Sequence, residues 1–336
     1  MLKTISLSLL FSALVVNFAH AAGSDPISTV GSSTVYPFAT VAAERFGKLT
    51  KFQTPVIEST GTGGGMKLFC DGVGVGYQHP DITNASRPIK KSEKEKCKAN
   101  GVTPVEMKVG YDGIVLANSK KGAKLSVTRD QLYRATAKEV WDGSKFILNP
   151  YKKWSDIDSS LPDLAIEVMG PPPTSGTRDA YVELVQHKAC KKLGIKKKGD
   201  DGYKARCSAV REDGGYIEGG ENDNLIIQKL VGEPRRYGIF GFSFLDNNLD
   251  QLWGTAIDGV EPTFEGIASG DYPMSRGLFF YVKKEHIGMV PGLGEYVRFF
   301  ASKKMIGQTG ATVDKGLIPL PDDEYKALIE RINKEL

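Results

Sequence analysis

The stretch whose residue types most clearly suggest chemistry is Gly170 to Arg178, GPPPTSGTR, which runs into a helical pattern from Asp179. Before it, Leu164 to Met169 reads as a strand; after it, Tyr181, Leu184, Val185 and Ala189 recur at helical spacing. At a strand-to-helix junction the first helical N–H groups lack internal partners and the positive end of the helix dipole faces the loop, which favours an anion. Ser175 and Thr177 add hydroxyls, Gly176 allows close backbone approach, and Arg178 supplies a planar charged fork. Ser-Gly-Thr alone is more often only a helix cap, because Ser and Thr are ordinary capping residues. Recurrence decides between the two readings.

The same grammar appears three more times. Ile27–Val30 reads as a strand leading into Gly31-Ser32-Ser33-Thr34-Val35-Tyr36-Pro37, after which Phe38, Val41, Ala42 and Phe46 mark one helix face. Pro55–Ser59 leads into Thr60-Gly61-Thr62-Gly63-Gly64-Gly65, read as a loop, with a helix from Met66 to Cys70. Small residues there would let a phosphate-sized anion reach backbone N–H groups, although no Lys-Ser or Lys-Thr pair closes the loop as in a Walker A motif. Asp81 to Pro88 is a short strand ending in Ser86 and Arg87.

These loops require elements to carry them, and the composition supports such a frame. The 336 residues are 40% hydrophobic and 25% charged, enough for two domains with substantial cores. Lys3, the apolar run Ile5–Phe18 and Ala19-His20-Ala21 fit a secretory leader cleaved after Ala21, so the mature chain is expected to be soluble and periplasmic. The net charge of +4 is too mild to suggest a nucleic acid partner, and the lysines at 90–98 and 191–198 read as solvated faces. In an exported chain the four cysteines are expected to form disulfides, Cys70 with Cys97 and Cys190 with Cys207 by proximity, although three connectivities are allowed. Neither pair has metal-ligand spacing, and four histidines offer little material for a zinc or Ser-His site. No metal or cofactor is expected.

From about residue 110 the texture changes: Tyr111-Asp112-Gly113 precedes the strand Ile114–Asn118, a plausible crossing into a second domain. Thr128 and Asn222 look like helix caps, Tyr237–Leu245 is strand-rich, Gly277–Val282 looks like a return strand, and helices at 290–304 and 322–335 close the chain. Trp141, Trp154 and Trp253 read as core or hinge packing. Strands alternating with helices imply parallel sheets in an α/β fold.

Together GSSTVYPFA (31–39), STGTGGGMKLFC (59–70), DITNASRPIK (81–90), YDGIVLAN (111–118), SGTR (175–178) and YPMSRGLFFYV (272–282) resemble the periplasmic phosphate-binding proteins of phosphate-specific ABC transporters, type II periplasmic binding proteins. The motifs span nearly the whole mature chain. The resemblance implies two lobes, each a mainly parallel sheet flanked by helices, joined by two hinge strands. Lobe 1 would comprise 22–112 and 276–336 and lobe 2 would comprise 113–275, with hinge strands at 111–118 and 276–283. It further implies a monomer that binds one dehydrated phosphate between the lobes, delivers it to a membrane permease and performs no catalysis. The implied phosphate ligands are Ser33, Thr34, Thr62, Ser86, Ser175, Gly176 and Thr177, to which Arg87 and Arg178 add charge.

Two departures matter. Some branches of the family place an arginine four residues before the SGT serine, where this chain has Pro171, and Arg178 is the candidate for that charge. They also place an aspartate where Arg87 stands, so the usual acceptor for the phosphate O–H is missing. A site made only of donors would distinguish phosphate poorly from sulfate, and a buried O–H without a partner costs about 1–3 kcal/mol. Asp112 is the favoured acceptor, ahead of Asp223 and Glu58. The alternatives are a binding protein for sulfate, molybdate or a phosphonate, and an exported phosphatase; the latter would need a base or metal that no motif supplies.

Overall fold

A computed structural model describes residues 26–74, 79–193, 202–220 and 222–336. The leader expected at 1–21 and most of the lysine cluster at 191–198 lie outside them.

The fold is α/β and is organised by one long strand. Three short strands, β1 (Ser28–Gly31), β2 (Val56–Ser59) and β3 (Ile82–Ala85), precede the long one, β4 (Pro104–Ser119). Two small sheets follow, pairing β5 (Ser126–Val127) with β12 (Ala256–Ile257) and β6 (Glu139–Trp141) with β7 (Phe146–Leu148). The main sheet is completed by β8 (Val168–Gly170), β9 (Tyr216–Glu218), β10 (Tyr237–Gly241), β11 (Leu252–Gly254) and β13 (Ser275–Lys283). Its order is β2-β1-β3-β13-β4-β10-β8-β9, with β11 also on β4. Of the 16 residues of β4, those from Pro104 to Gly113 pair with β13 and those from Ile114 onward pair with β10 and β11. This strand therefore carries two lobes. Each holds three parallel strands, β2-β1-β3 and β10-β8-β9, with antiparallel β13 and β4 between them. β13 pairs only with β3 and the first part of β4, so the second crossing is made at its start, near Ser275.

Strand-to-helix alternation follows the apolar periodicity. α1 (Tyr36–Leu49) buries Phe38, Ala42 and Phe46, and Pro37 is tolerated in its first turn, where the N–H has no partner to lose. α2 (Gly61–Phe69) overturns one expectation, because the glycine stretch read as a loop forms the first turns of the helix. The reason is close packing: a Cβ at Gly65 would lie 2.5 Å from the Gly31 Cα, so only a small residue lets the helix settle on β1 and β3. α3 (Lys91–Ala99) presents the first lysine cluster to solvent. Thr128 caps α4 (Arg129–Thr136) and Asn222 caps the helix Asp223–Gly232, both as expected. The strand expected over 164–169 shortens to β8, and Ala165 makes only an isolated bridge to Lys153.

Trp154, which opens α5 (Trp154–Ile157), is fully buried edge-on to Tyr237, and Trp141 packs against Phe146. Trp253 departs from the core reading. It is 37% exposed with Lys120 and Lys124 over its ring, because lysine stems cover an aromatic face while their charges stay in water. Among the described residues no helix is long and apolar enough to cross a membrane.

Both cysteine pairs are joined as expected, Cys70 to Cys97 and Cys190 to Cys207. The first ties the end of α2 to α3; the second closes a chain separation of 17 residues. Replacing Cys190 and Cys207 together with alanine is expected to lower unfolding stability by about 3 kcal/mol. Guanidinium denaturation would read this as a lower midpoint at unchanged slope, and an unchanged midpoint would contradict it.

Candidate functional site

The hydroxyl loops meet at the carboxyl ends of the parallel strands. β1 ends at Gly31, whose φ of +129° lies in a region that L side chains rarely adopt, and the chain turns at once through Ser32, Ser33 and Thr34 into α1. Thr62 in the first turn of α2 meets Ser86 after β3: the two hydroxyls are 3.1 Å apart, and the Ser86 N–H donates to Thr62 Oγ1 at 3.1 Å. From the other lobe comes α6 (Gly176–Tyr181), preceded by Ser175, whose Oγ accepts from the Thr177 N–H. The lobes touch here. A Cβ at Gly176 would lie 2.8 Å from the Ser33 carbonyl oxygen, Thr34 Oγ1 faces the Gly176 carbonyl at 3.5 Å, and Ser33 Oγ donates to Asp179 Oδ2 at 2.5 Å.

Two adjoining cavities share Thr34. One, of about 360 Å³, is lined by Ser33, Thr34, Thr62, Ser86 and Arg178; the other, of about 520 Å³, by Thr34, Asp112, Ser175, Gly176 and Thr177. Eight of the nine expected ligands, with the expected acceptor, therefore surround the interlobe contact. A groove of about 1000 Å³ lies elsewhere, between Lys94, Lys98, Lys334 and Glu106, Glu330, Glu335. Its mixed charges, and a lining that includes none of the expected anion ligands, set it apart from the anion chemistry.

Arg178 is buried, with its guanidinium 4.5 Å above the Tyr216 ring and Nη1 donating to the Pro171 carbonyl at 3.0 Å. Tyr216 donates to that same carbonyl at 2.8 Å, and burial pushes its phenol up to about 12. Among the described residues no carboxylate lies within ion-pair distance of Arg178. The side chain folds back to residue 171, so its charge stands beside the position that Pro171 leaves without one.

Arg87 lies elsewhere. It grips Glu93 with two bonds of 2.7 and 2.8 Å, and Glu93 also accepts the Lys90 N–H at the start of α3; neither cavity includes Arg87. This fork-to-carboxylate pair needs only six residues of separation and is a local signal in the sequence itself.

Asp112 is buried on β4 beside Arg276, whose Nε donates to its Oδ2 at 3.3 Å. Burial raises its carboxyl above the usual range, and the Arg276 charge opposes that shift. Arg276 is the residue that sequence reasoning missed. It stands in the motif YPMSRGLFFYV but was assigned no role, and its Nη2 donates to Thr34 Oγ1 at 2.6 Å.

His187 and Ser208 also line the smaller cavity, with Nε2 and Oγ 2.8 Å apart. The Ser208 hydroxyl is also 2.7 Å from the Lys204 carbonyl, an acceptor that competes with the imidazole for its single proton. Burial also lowers the His187 pKa.

Comparison with known proteins agrees with this architecture. Residues 16–304 match the PBP superfamily domain. Protein SphX of Synechococcus elongatus is 30% identical over 311 residues, covering 91% of this chain and 80% of that one. The phosphate-binding protein PstS of Staphylococcus saprophyticus is 28% identical over 308 residues, covering 90% and 83%. The crystal structure of a possible phosphate binding protein from Planctomyces limnophilus matches with a TM-score of 0.75 at 28% identity, covering 93% of this chain and 99% of that one. With a family match across most of its length, two lobes hung on a shared strand and hydroxyl loops facing one another at the cleft, this chain belongs to the PBP superfamily.

Proposed function

We propose that the protein captures inorganic phosphate between its lobes and delivers it to the membrane permease of an ABC transporter, without chemical change to the ligand. The observation that carries this reading is the convergence of Ser33, Thr34, Thr62 and Ser86 from one lobe with Ser175, Gly176, Thr177 and Arg178 from the other. Hydroxyls, helix-start N–H groups and one guanidinium with no carboxylate partner among the described residues form a donor set for a small dianion. Arg87 acts in this reading as a brace for the start of α3, not as a ligand. The protein works as an exported monomer, lobe 1 comprising 22–112 and 276–336 and lobe 2 comprising 113–275. Asp112 accepts the proton that phosphate carries and sulfate lacks, its raised pKa being compatible with sharing that proton.

Calorimetric titration with phosphate, sulfate and a phosphate monoester tests the reading. Phosphate is expected to bind with strong preference over sulfate, and the monoester to remain unhydrolysed. Asp112→Asn is expected to reduce the phosphate-to-sulfate preference by about tenfold or more, the equivalent of about 1–3 kcal/mol for an unpartnered buried donor. Equal affinities in the wild type would overturn phosphate selectivity, an unchanged ratio in the variant would clear Asp112 of the role, and turnover of the monoester would favour an enzyme.

A further inference from the structure

One set of contacts crosses the cleft without using any of the assigned anion ligands from lobe 2. After α6 the helix continues through a π turn, Val182–Gln186, and this wider turn carries Glu183 on the side facing the other lobe. Glu183 Oε2 accepts from Arg276 Nη1 at 2.6 Å. The Arg276 side chain is only 8% exposed, and its other bonds stay within the first lobe or at the shared strand: Nε to Asp112 and Nη2 to Thr34. Two acceptors thus hold the fork in place before the third arrives, so forming the bond to Glu183 orders little more than the Glu183 side chain.

We propose that Arg276 and Glu183 form an interlobe latch: the pair is made when the cleft closes and must break for it to open. It makes Arg276 a positioning residue with two tasks, fixing the Thr34 hydroxyl on one side and holding the lobes together on the other. The proposal rests on phosphate capture for its kinetic consequence, whereas its structural consequence is independent of the ligand. A contact made only after closure slows release and leaves association nearly unchanged.

Glu183 is the residue to change, because its side chain is 55% exposed and its loss leaves no buried charge of its own, whereas removing Arg276 would strand Asp112. In stopped-flow measurements with phosphate, Glu183→Gln is expected to release the anion roughly two- to fivefold faster with association unchanged, the range of a partly exposed ion pair. Raised salt is expected to narrow that difference. Spin labels at Leu49→Cys and Leu148→Cys, exposed positions in the two lobes, would report the interlobe distance with and without phosphate. Glu183→Gln is expected to populate longer distances than the Glu183 protein in at least one of these conditions. Identical distance distributions together with identical release rates would overturn the latch. Failure of both proteins to bind phosphate would count against phosphate capture alone, since the distance measurement would still read the latch.

Discussion

Arg178→Ala is expected to weaken phosphate binding by about 2–5 kcal/mol, the cost of losing a buried charge-assisted donor. Thr62→Ala is expected to cost less, about 0.5–1.5 kcal/mol, since its hydroxyl is neutral and shares its bonding with Ser86. The larger figure follows from the surroundings of Arg178, which is buried over Tyr216 with only the Pro171 carbonyl to receive Nη1. An anion in the cleft would therefore supply the missing negative partner. Because the same side chain packs against Tyr216, thermal unfolding of the variant should accompany the titration, and Arg178→Lys should recover only part of the affinity, an ammonium having no planar fork. Near-unchanged affinity in Arg178→Ala would reduce the residue to a structural clamp between Pro171 and Tyr216.

The second large effect is expected at Gly31. Alanine there would place its Cβ 2.2 Å from the Asn84 carbonyl oxygen and 2.8 Å from the Asn84 nitrogen, both backbone atoms, at a φ of +129°. Neither the strain nor the clash can be relieved by a rotamer change, because β1 and β3 are paired through Gly31 and Asn84. Gly31→Ala is expected to lower stability by roughly 3–5 kcal/mol, combining backbone strain with overpacking. Urea denaturation would measure it, and a loss below about 1 kcal/mol would mean that the β1–β3 junction yields more readily than this geometry allows. Any folded variant should also bind phosphate less well, since Ser33 and Thr34 follow directly from the displaced turn.

The contrast between Arg178 and Arg87 shows how far sequence reasoning reaches. Both stand next to a hydroxyl residue in a strand-end motif, and both are arginines suited to an oxyanion. Arg87 has a carboxylate six residues away that also caps a helix, so its charge is spent locally; Arg178 bonds the Pro171 carbonyl and lies over Tyr216, with no carboxylate partner among the described residues. The first outcome was readable from neighbouring residues. The second required knowing which acids fold near residue 178.

The sequence by itself determined the α/β alternation, the hydroxyl-rich helix starts and the caps at Thr128 and Asn222, because each depends on residues close together in the chain, whereas the structure chose among the three connectivities open to the four cysteines. Tertiary structure alone decided that the glycine stretch would coil into α2 and that Trp253 would remain half outside. It also decided that Arg276 would join Asp112, Thr34 and Glu183, partners 164, 242 and 93 residues away. Local periodicity and turn chemistry have no access to such separations. What brings them together is β4 pairing with β13 along one part of its length and β10 along the other, which sets the Arg276 guanidinium of one lobe against the Glu183 carboxylate of the other.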